Sequence, residues 1–360
     1  MGMKLVHDPI HGGIELDDFA VRLVDTPEFQ RLRRITQLGL AFLVYPSARH
    51  TRFEHSLGTF HIARLIRARN SEIGEGVVYS ALLHDLGHYP FSHTLECLYP
   101  RHEENTRWLI KHGEVGDVLR ERFSIGEFLG FLKHPLVSGD IDADRMDYLV
   151  RDAYYTGVAY GLVDLERLIR NLRWDGERLV LGEKGIMAGQ NLLISRSMMY
   201  PTVYQHHTAR IAGAMLCKAV ELEGIAEREI RQMDEIDLVA RLRASDRREV
   251  RELIGAINER KLYKRVLWSS ERLEPELVEE LRKELEEEFD HLALLDYPKM
   301  PKFEERNAFV ECNGEIKRLS EVSPVVKALV EAKESHWRWG IYAREDIGEK
   351  VREFVSKTLK

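Results

Sequence analysis

The chain has 360 residues, 44% hydrophobic and 31% charged, which describes a folded globular protein long enough for two domains or for one large core with an appended unit. Its net charge of -7 argues against a generally basic nucleic-acid-binding surface but leaves room for a local basic pocket around a phosphorylated small molecule. Three cysteines, Cys97, Cys217 and Cys312, show no CxxC spacing and no disulfide framework, so free thiols in a reducing, cytoplasmic compartment are expected. No apolar run approaches the ~18 residues of a membrane span, and MGMKLVHDPIHG has no apolar signal core, so neither secretion nor membrane insertion is expected.

Helical periodicity dominates the chain. In FQRLRRITQLGLAFLVY, Phe29, Leu32, Ile35, Leu38 and Phe42 recur at three- and four-residue steps, which predicts a helix over 29–45. Further helices are expected over 56–70 and 76–87, the second apolar on nearly every side and therefore central. Residues 162–173 and 187–230 continue the pattern. In LRWDGERLVL (172–181), Asp175-Gly176 between alternating apolar runs predicts a hairpin. Charged surface helices are expected over 226–290, with Pro275 at a helix start, and PKMPKFEERN (298–307) reads as a linker into a small α+β tail. In that tail HWRWGIYARED is a strand candidate, followed by a helix over IGEKVREFVSKTLK. The expected architecture is mostly α over 1–220, then a helical region and an α+β C-terminal part over 221–360.

The chemistry concentrates in ALLHDLGHYPFSH, residues 81–93, where three imidazoles and a carboxylate sit among apolar and small side chains. Such groups are costly to bury unless they are paired or bound to a cation. His84 and His88 fall four apart, on one face of a helix that Gly87 and Pro90 should end. RHTRFEHSLG upstream and SGDIDADRMDYLVRDAYYTG downstream add further His, Arg and Asp. Together they fit a metal held by His55, His84, Asp85 and Asp144, and mixed imidazole and carboxylate ligation suits Fe, Mn, Zn, Ni or Co.

The ordered pattern RFEHSLG, LLHDLGH and DADRMDY, with DPIHGGIEL, DTPEFQRLRRITQLG and YPFSH around it, resembles the HD-domain phosphohydrolases and, among them, the deoxynucleoside triphosphate triphosphohydrolase branch. The resemblance runs almost continuously from Lys4 to about Met215. It implies metal ligation by His55, His84, Asp85 and Asp144, and phosphate contacts from Arg52 and Arg196, with Arg145 where the family has a lysine. His102-Glu103 matches a further pair near the phosphates. Gln37, Leu38 and Asp152 match positions that contact the sugar, and Tyr148, Tyr204 and Gln205 match those that pack on it and reach the base. His88 and His93 match active-site histidines, His93 being the candidate general acid. Glu96 stands where the family has an aspartate that orients it, and Tyr89 replaces a glycine, which should narrow or reshape the pocket.

The resemblance also implies a guanine-nucleotide activating site around Lys4, Asp25, Gln30 and Arg33, a homo-oligomer (dimer or tetramer), and Mg on the substrate phosphates. Asp25 before Thr26-Pro27 reads equally well as a helix N-cap. The leading expectation is hydrolysis of dNTPs to deoxynucleoside and triphosphate. Alternatives are a less selective phosphatase acting on phosphomonoesters or other nucleotides, and a nucleotide-sensing or nucleic-acid-binding protein with little turnover. A zincin is disfavoured, because in HDLGH the aspartate is a methylene shorter than the catalytic glutamate, Gly87 weakens the helix, and no third zinc ligand at a zincin-like offset stands out.

Overall fold

Residues 3–299, 308–332 and 337–359 are described in the computed structural model of the chain, and helices dominate. The chain opens with strands β1 (Lys4–Asp8) and β2 (Gly12–Leu16), an antiparallel hairpin with Asp8 opposite Gly12. Helix α1 (Asp18–Val24) follows, capped by the Asp17 carboxylate on the Ala20 N–H, and α2 (Pro27–Arg31) starts with Pro27 in its first turn. Thr26, not Asp25, is the N-cap of α2, and Asp25 closes α1.

The helix expected over 29–45 does not form as one element. After α2 the chain passes through short 3-10 turns at Leu32–Arg34 and Gly39–Leu43, with Gly39 at φ 53°. Its backbone is used crosswise: the Gln37 N–H donates to the His50 carbonyl and the Arg52 N–H to the Ile35 carbonyl, each at 2.9 Å. A segment that hydrogen-bonds sideways cannot also run an i→i−4 ladder.

Helix α3 (Arg52–Arg67) begins in a capping box made by Thr51 and Glu54. It packs against α4 (Glu75–Leu83), buried on nearly every side as its uniform apolarity requires. Helix α4 stops at Leu83, so His84–Gly87 form a turn and not a continuing helix. Then come α5 (His102–His112), α6 (Glu114–Arg120), α7 (Ile125–Phe131) and α8 (Ala143–Thr156), of which α8 lies along α3. Phe60, Leu82, Leu83, Met146 and Leu149 lie within one continuous core that joins these elements.

Helix α9 (Leu165–Asn171) leads into β3 (Leu172–Trp174) and β4 (Leu179–Leu181), the expected hairpin, with Gly176 at φ 99° in its turn. Helix α10 (Ile186–Met199) ends in a π-helical turn over Tyr200–Tyr204, and α11 (His207–Glu223) follows. Helices α12 (Glu227–Ile230), α13 (Glu235–Arg243) and α14 (Arg248–Asn258) pack with α11 into a second core that includes Tyr89 and Phe91. Tyr89 is therefore buried behind its loop and does not narrow the mouth of the pocket.

The C-terminal part is more mixed than expected. Strand β5 (Lys264–Ser269) interrupts the charged segment, α15 (Pro275–Phe289) starts at Pro275, and β6 (Ala293–Asp296) follows. Most of the expected linker lies outside the described residues. Strands β7 (Phe309–Cys312) and β8 (Glu315–Arg318) extend the β3–β4 hairpin into a sheet ordered β3-β4-β7-β8. Helices α16 (Leu319–Val322) and α17 (Pro324–Glu331) precede β9 (Trp339–Ala343), the expected strand, which pairs between β5 and β6 before α18 (Gly348–Thr358). Trp337, Trp339, Leu281 and Val351 form a third core under this sheet.

The expectation of three free thiols is corrected. Cys97 and Cys217 are joined as a disulfide across 120 positions, between the turn after His93 and α11, and Cys312 is free. Spacing along the chain does not reveal a pair that only the tertiary fold brings together. Among the described residues no helix is long and apolar enough to cross a membrane.

Candidate functional site

Helix α3 delivers His55, the turn after α4 delivers His84 and Asp85, and the first turn of α8 delivers Asp144. Their donor atoms converge. His55 Nε2 lies 3.0 Å from Asp144 Oδ1 and 3.4 Å from Asp85 Oδ2, and His84 Nε2 lies 3.4 Å from Asp85 Oδ1 and 3.5 Å from Asp144 Oδ1. Metal bonds of about 2.0–2.2 Å place neighbouring donors about 3 to 3.5 Å apart, so the set has the right size for one divalent ion. Both Nε2 atoms are buried and have no hydrogen-bond partner of acceptable geometry. The group therefore fits a transition metal, and the other ring nitrogens fix the tautomers: His55 Nδ1 faces Asp147 at 2.8 Å and His84 Nδ1 faces the Ala81 carbonyl at 2.8 Å.

Electrostatics pull the same way. Burial opposes a charge on His55, but Asp144, Asp147 and Asp85 outweigh it and raise its pKa to about 10. Burial also opposes ionisation of Asp85, and His84, Arg52 and His88 nevertheless hold it well below the usual carboxylate range. Negative charge so concentrated around His55 and His84 favours a cation between them.

Beside this centre lies a second cluster, built from the turn after α4, the 3-10 turn Ser92–Cys97 and the start of α5. His88 and His102 stack with centroids 3.9 Å apart, and His93 stands edge-on to both. One oxygen of Glu96 accepts from His102 Nδ1 at 2.6 Å and from His93 Nδ1 at 3.0 Å. Glu96 thus holds His93 in orientation despite its longer arm, leaving Nε2 free, and the His93 side chain is 60% exposed to the cleft. Poor solvation there, together with His102 and Arg52, lowers the His93 pKa, while Glu96 opposes that shift. His88 is buried, its pKa lowered first by burial and then by Arg52 and His102, and Nε2 lies 3.2 Å from Asp85 Oδ1. His102, matched above to a phosphate contact, belongs to this cluster.

The basic side chains are held in place. Arg52 reaches Asp85 Oδ2 at 2.5 Å, Ser92 Oγ at 2.9 Å and the Gln37 carbonyl at 3.3 Å. Arg145 is paired with Asp142, the N-cap of α8, at 2.7 Å. Arg196, on α10, acts electrostatically on Tyr148 and Tyr204. The centroids of those two rings lie 6.2 Å apart, and the Tyr148 ring lies 6.3 Å from that of His55, so Tyr148 stands beside the candidate ligands with Tyr204 next to it.

Asp152 accepts from Tyr204 Oη at 2.9 Å and faces His50 Nε2 at 2.8 Å. Gln37 is buried with its side-chain oxygen unpartnered, and Leu38 is half-buried beside it. Gln205 is engaged by Arg210 at 2.8 Å and Tyr200 at 3.3 Å, so reaching a base requires it to leave those partners. In the proposed activator region, Gln30 bonds the Val24 carbonyl and Arg33, and Arg33 covers the Phe53 ring at 3.6 Å. Lys4, exposed on β1, forms no hydrogen bond or ion pair with Asp25, Gln30 or Arg33.

Sequence reasoning gave no role to His11, Ser92, Asp147, Arg151 or Glu235, although DPIHG and DADRMDY carry two of them, His11 and Asp147. Glu235, at the start of α13, accepts from the Thr36 N–H and hydroxyl at 2.6 Å and from the Phe91 N–H at 3.2 Å. Phe91 and Ser92 have φ of 61° and 56°, so the turn that presents His93 is braced in a left-handed conformation by a distant helix.

Known proteins resemble this chain over its whole length. A family model described as HD domain matches residues 52–149, and one described as HD associated region matches residues 163–360. An uncharacterized protein of Methanocaldococcus jannaschii is 39% identical over 388 residues, which cover 99% of this chain and 84% of that protein. The human deoxynucleoside triphosphate triphosphohydrolase SAMHD1 is 29% identical over 301 residues, 65% of this chain and 48% of its own length. Among solved structures, a hypothetical protein from Aquifex aeolicus superposes with TM-score 0.79 at 33% identity over 100% of both chains. A phosphohydrolase from Bacteroides thetaiotaomicron superposes with TM-score 0.76 at 27% identity, over 95% of this chain and 100% of that one.

Proposed function

The chain belongs to the HD-domain phosphohydrolase family, and from that premise we propose that it hydrolyses deoxynucleoside triphosphates to deoxynucleoside and triphosphate. The observation that carries this reading is the convergence of His55, His84, Asp85 and Asp144 beside the cluster of His88, His93, Glu96 and His102, with Arg52 bonded to Asp85. The printed name of the human relative, a deoxynucleoside triphosphate triphosphohydrolase, supports the choice of substrate.

His55, His84, Asp85 and Asp144 would hold a divalent ion, which would supply positive charge to the phosphate oxygens and lower the pKa of water. Arg52, Arg145 and Arg196 offset the remaining phosphate charge, and Arg145 must turn from Asp142 to do so. Water attacks the α-phosphorus and gives up a proton to solvent, the bond to the 5′ oxygen breaks, and protonated His93 donates from Nε2 to that leaving oxygen and becomes neutral. An anionic phosphate beside His93 favours its charged form and so counters the lowering imposed by the cleft. Glu96 holds the ring through Nδ1 while the proton moves. Tyr148 and Tyr204 pack the sugar, with Asp152 and Gln37 toward its hydroxyl.

The proposal extends to a homo-oligomer and to a guanine-nucleotide activator bound near Gln30 and Arg33. Added GTP that changes neither rate nor oligomeric state removes the activator. The substrate test is product analysis: metal-reconstituted protein is incubated with dNTPs, NTPs and a phosphomonoester. Triphosphate released from dNTPs supports the proposal, and orthophosphate as the primary product overturns it in favour of a less selective phosphatase.

A further inference from the structure

The DPIHG turn lies far in sequence from every ligand named above, yet its side chains reach the metal centre. His11, in the turn between β1 and β2, places Nε2 2.6 Å from Asp147 Oδ1. The other oxygen of Asp147 faces His55 Nδ1 at 2.8 Å. Arg151, one turn further along α8, binds both oxygens of the same carboxylate at 2.9 Å and donates to Asp8 Oδ2 at 2.7 Å. Asp8 closes the circuit: its Oδ1 accepts the N–H groups of Ile10 and His11 at 2.9 Å each, which shapes the turn that carries the His11 ring.

Asp147 is fully buried and accepts four hydrogen bonds, two at each oxygen. With the Arg151 guanidinium forked onto both of its oxygens, this carboxylate is the acceptor toward His55 Nδ1, which leaves Nε2 as the ring atom turned to the ligand cluster. Helix α3 allows this approach by having Gly58 one turn after His55: a Cβ there would lie 1.8 Å from Asp147 Oδ1 and 2.6 Å from Arg151 Nη2.

We infer that His11 is a positioning residue for the metal centre, acting through Asp147 to fix the tautomer and aim of His55. The inference rests on the metal reading of the site. It gives the N-terminal hairpin a task at the reaction centre: Asp8, Arg151 and Asp147 form a buried relay from the β-turn to the ion.

The test is metal affinity, read separately from turnover. Wild type, His11→Ala, His11→Gln and His11→Leu are titrated with Mn2+ by equilibrium dialysis, and their Co2+ forms are compared by visible absorption. Outer-shell partners of metal-bound histidines are typically worth 10–100-fold in affinity. The expected result is a loss of that size in His11→Ala, recovery of most of it in His11→Gln, whose amide can donate to Asp147, and a shifted Co2+ band in His11→Ala. Should His11→Ala fail to fold, His11→Gln against His11→Leu carries the test, since the two are similar in size and differ in the N–H donor. Equal affinity in wild type and His11→Ala, or equal loss in His11→Gln and His11→Leu, overturns the inference. Wild-type protein that binds neither Mn2+ nor Co2+ overturns the metal reading, and this inference with it.

Discussion

At the residue scale the donor set and the acid cluster make separable predictions. Asp85→Asn keeps the shape of the side chain but removes a charge that faces His55, His84 and Arg52. Metal content measured by atomic absorption should fall below one ion per chain, with hydrolysis lost alongside. Glu96→Gln should instead retain its metal and lose kcat by about 10²–10⁴-fold, the usual span for a proton-transfer partner put out of register. Full turnover in metal-loaded His93→Ala would remove the general-acid assignment.

A pH effect is expected away from the site. His134, packed 4.5 Å from the Trp174 ring, has its pKa pushed down from 6.5 to about 4 by burial. The unfolded chain binds this proton more readily, so the contribution of His134 is complete above pH 6.5 and is lost as pH falls toward 4. Urea midpoints at pH 7 and pH 5 should differ less in His134→Gln than in wild type.

At the element scale the site depends on turns that helices hold from outside. The 3-10 turn bearing His93 and Glu96 follows two residues of positive φ and is pinned by Glu235 from α13. Glu235→Ala strips the Thr36 and Phe91 N–H groups of their acceptor; hydrogen bonds to charged groups contribute about 1.5–3 kcal/mol, so a destabilisation of about that size is expected in urea unfolding. Loss of the brace should also lower kcat without lowering metal content, because the four candidate ligands come from α3, the turn directly after α4, and the first turn of α8. Unchanged kcat in a folded Glu235→Ala would show that the turn holds its shape without α13. Helix α4 illustrates the same division: its buried apolar residues fix the place where His84 and Asp85 leave the helix.

At the scale of the whole molecule, a bound ion links segments that are far apart in sequence and so couples metal binding to stability. At an ion concentration 100 times Kd, a site present only in the folded state adds about 2.7 kcal/mol, and a chelator should lower Tm correspondingly. A chelator that leaves Tm unchanged while metal is lost would argue for a site formed independently of the surrounding fold.

The sequence by itself determined the helical class and the Asp175-Gly176 hairpin, because apolar period and turn chemistry are written locally, and it singled out His55, His84, Asp85 and Asp144, whose donor atoms only the fold brings within reach of one another. It could not determine that residues 29–45 break into turns, since their backbone bonds run to residues 50–52. Nor could it determine that Tyr89 packs into the second core, that Cys97 meets Cys217, or that His11 stands behind Asp147. Each of those depends on which distant groups become neighbours, and only the tertiary packing decides that.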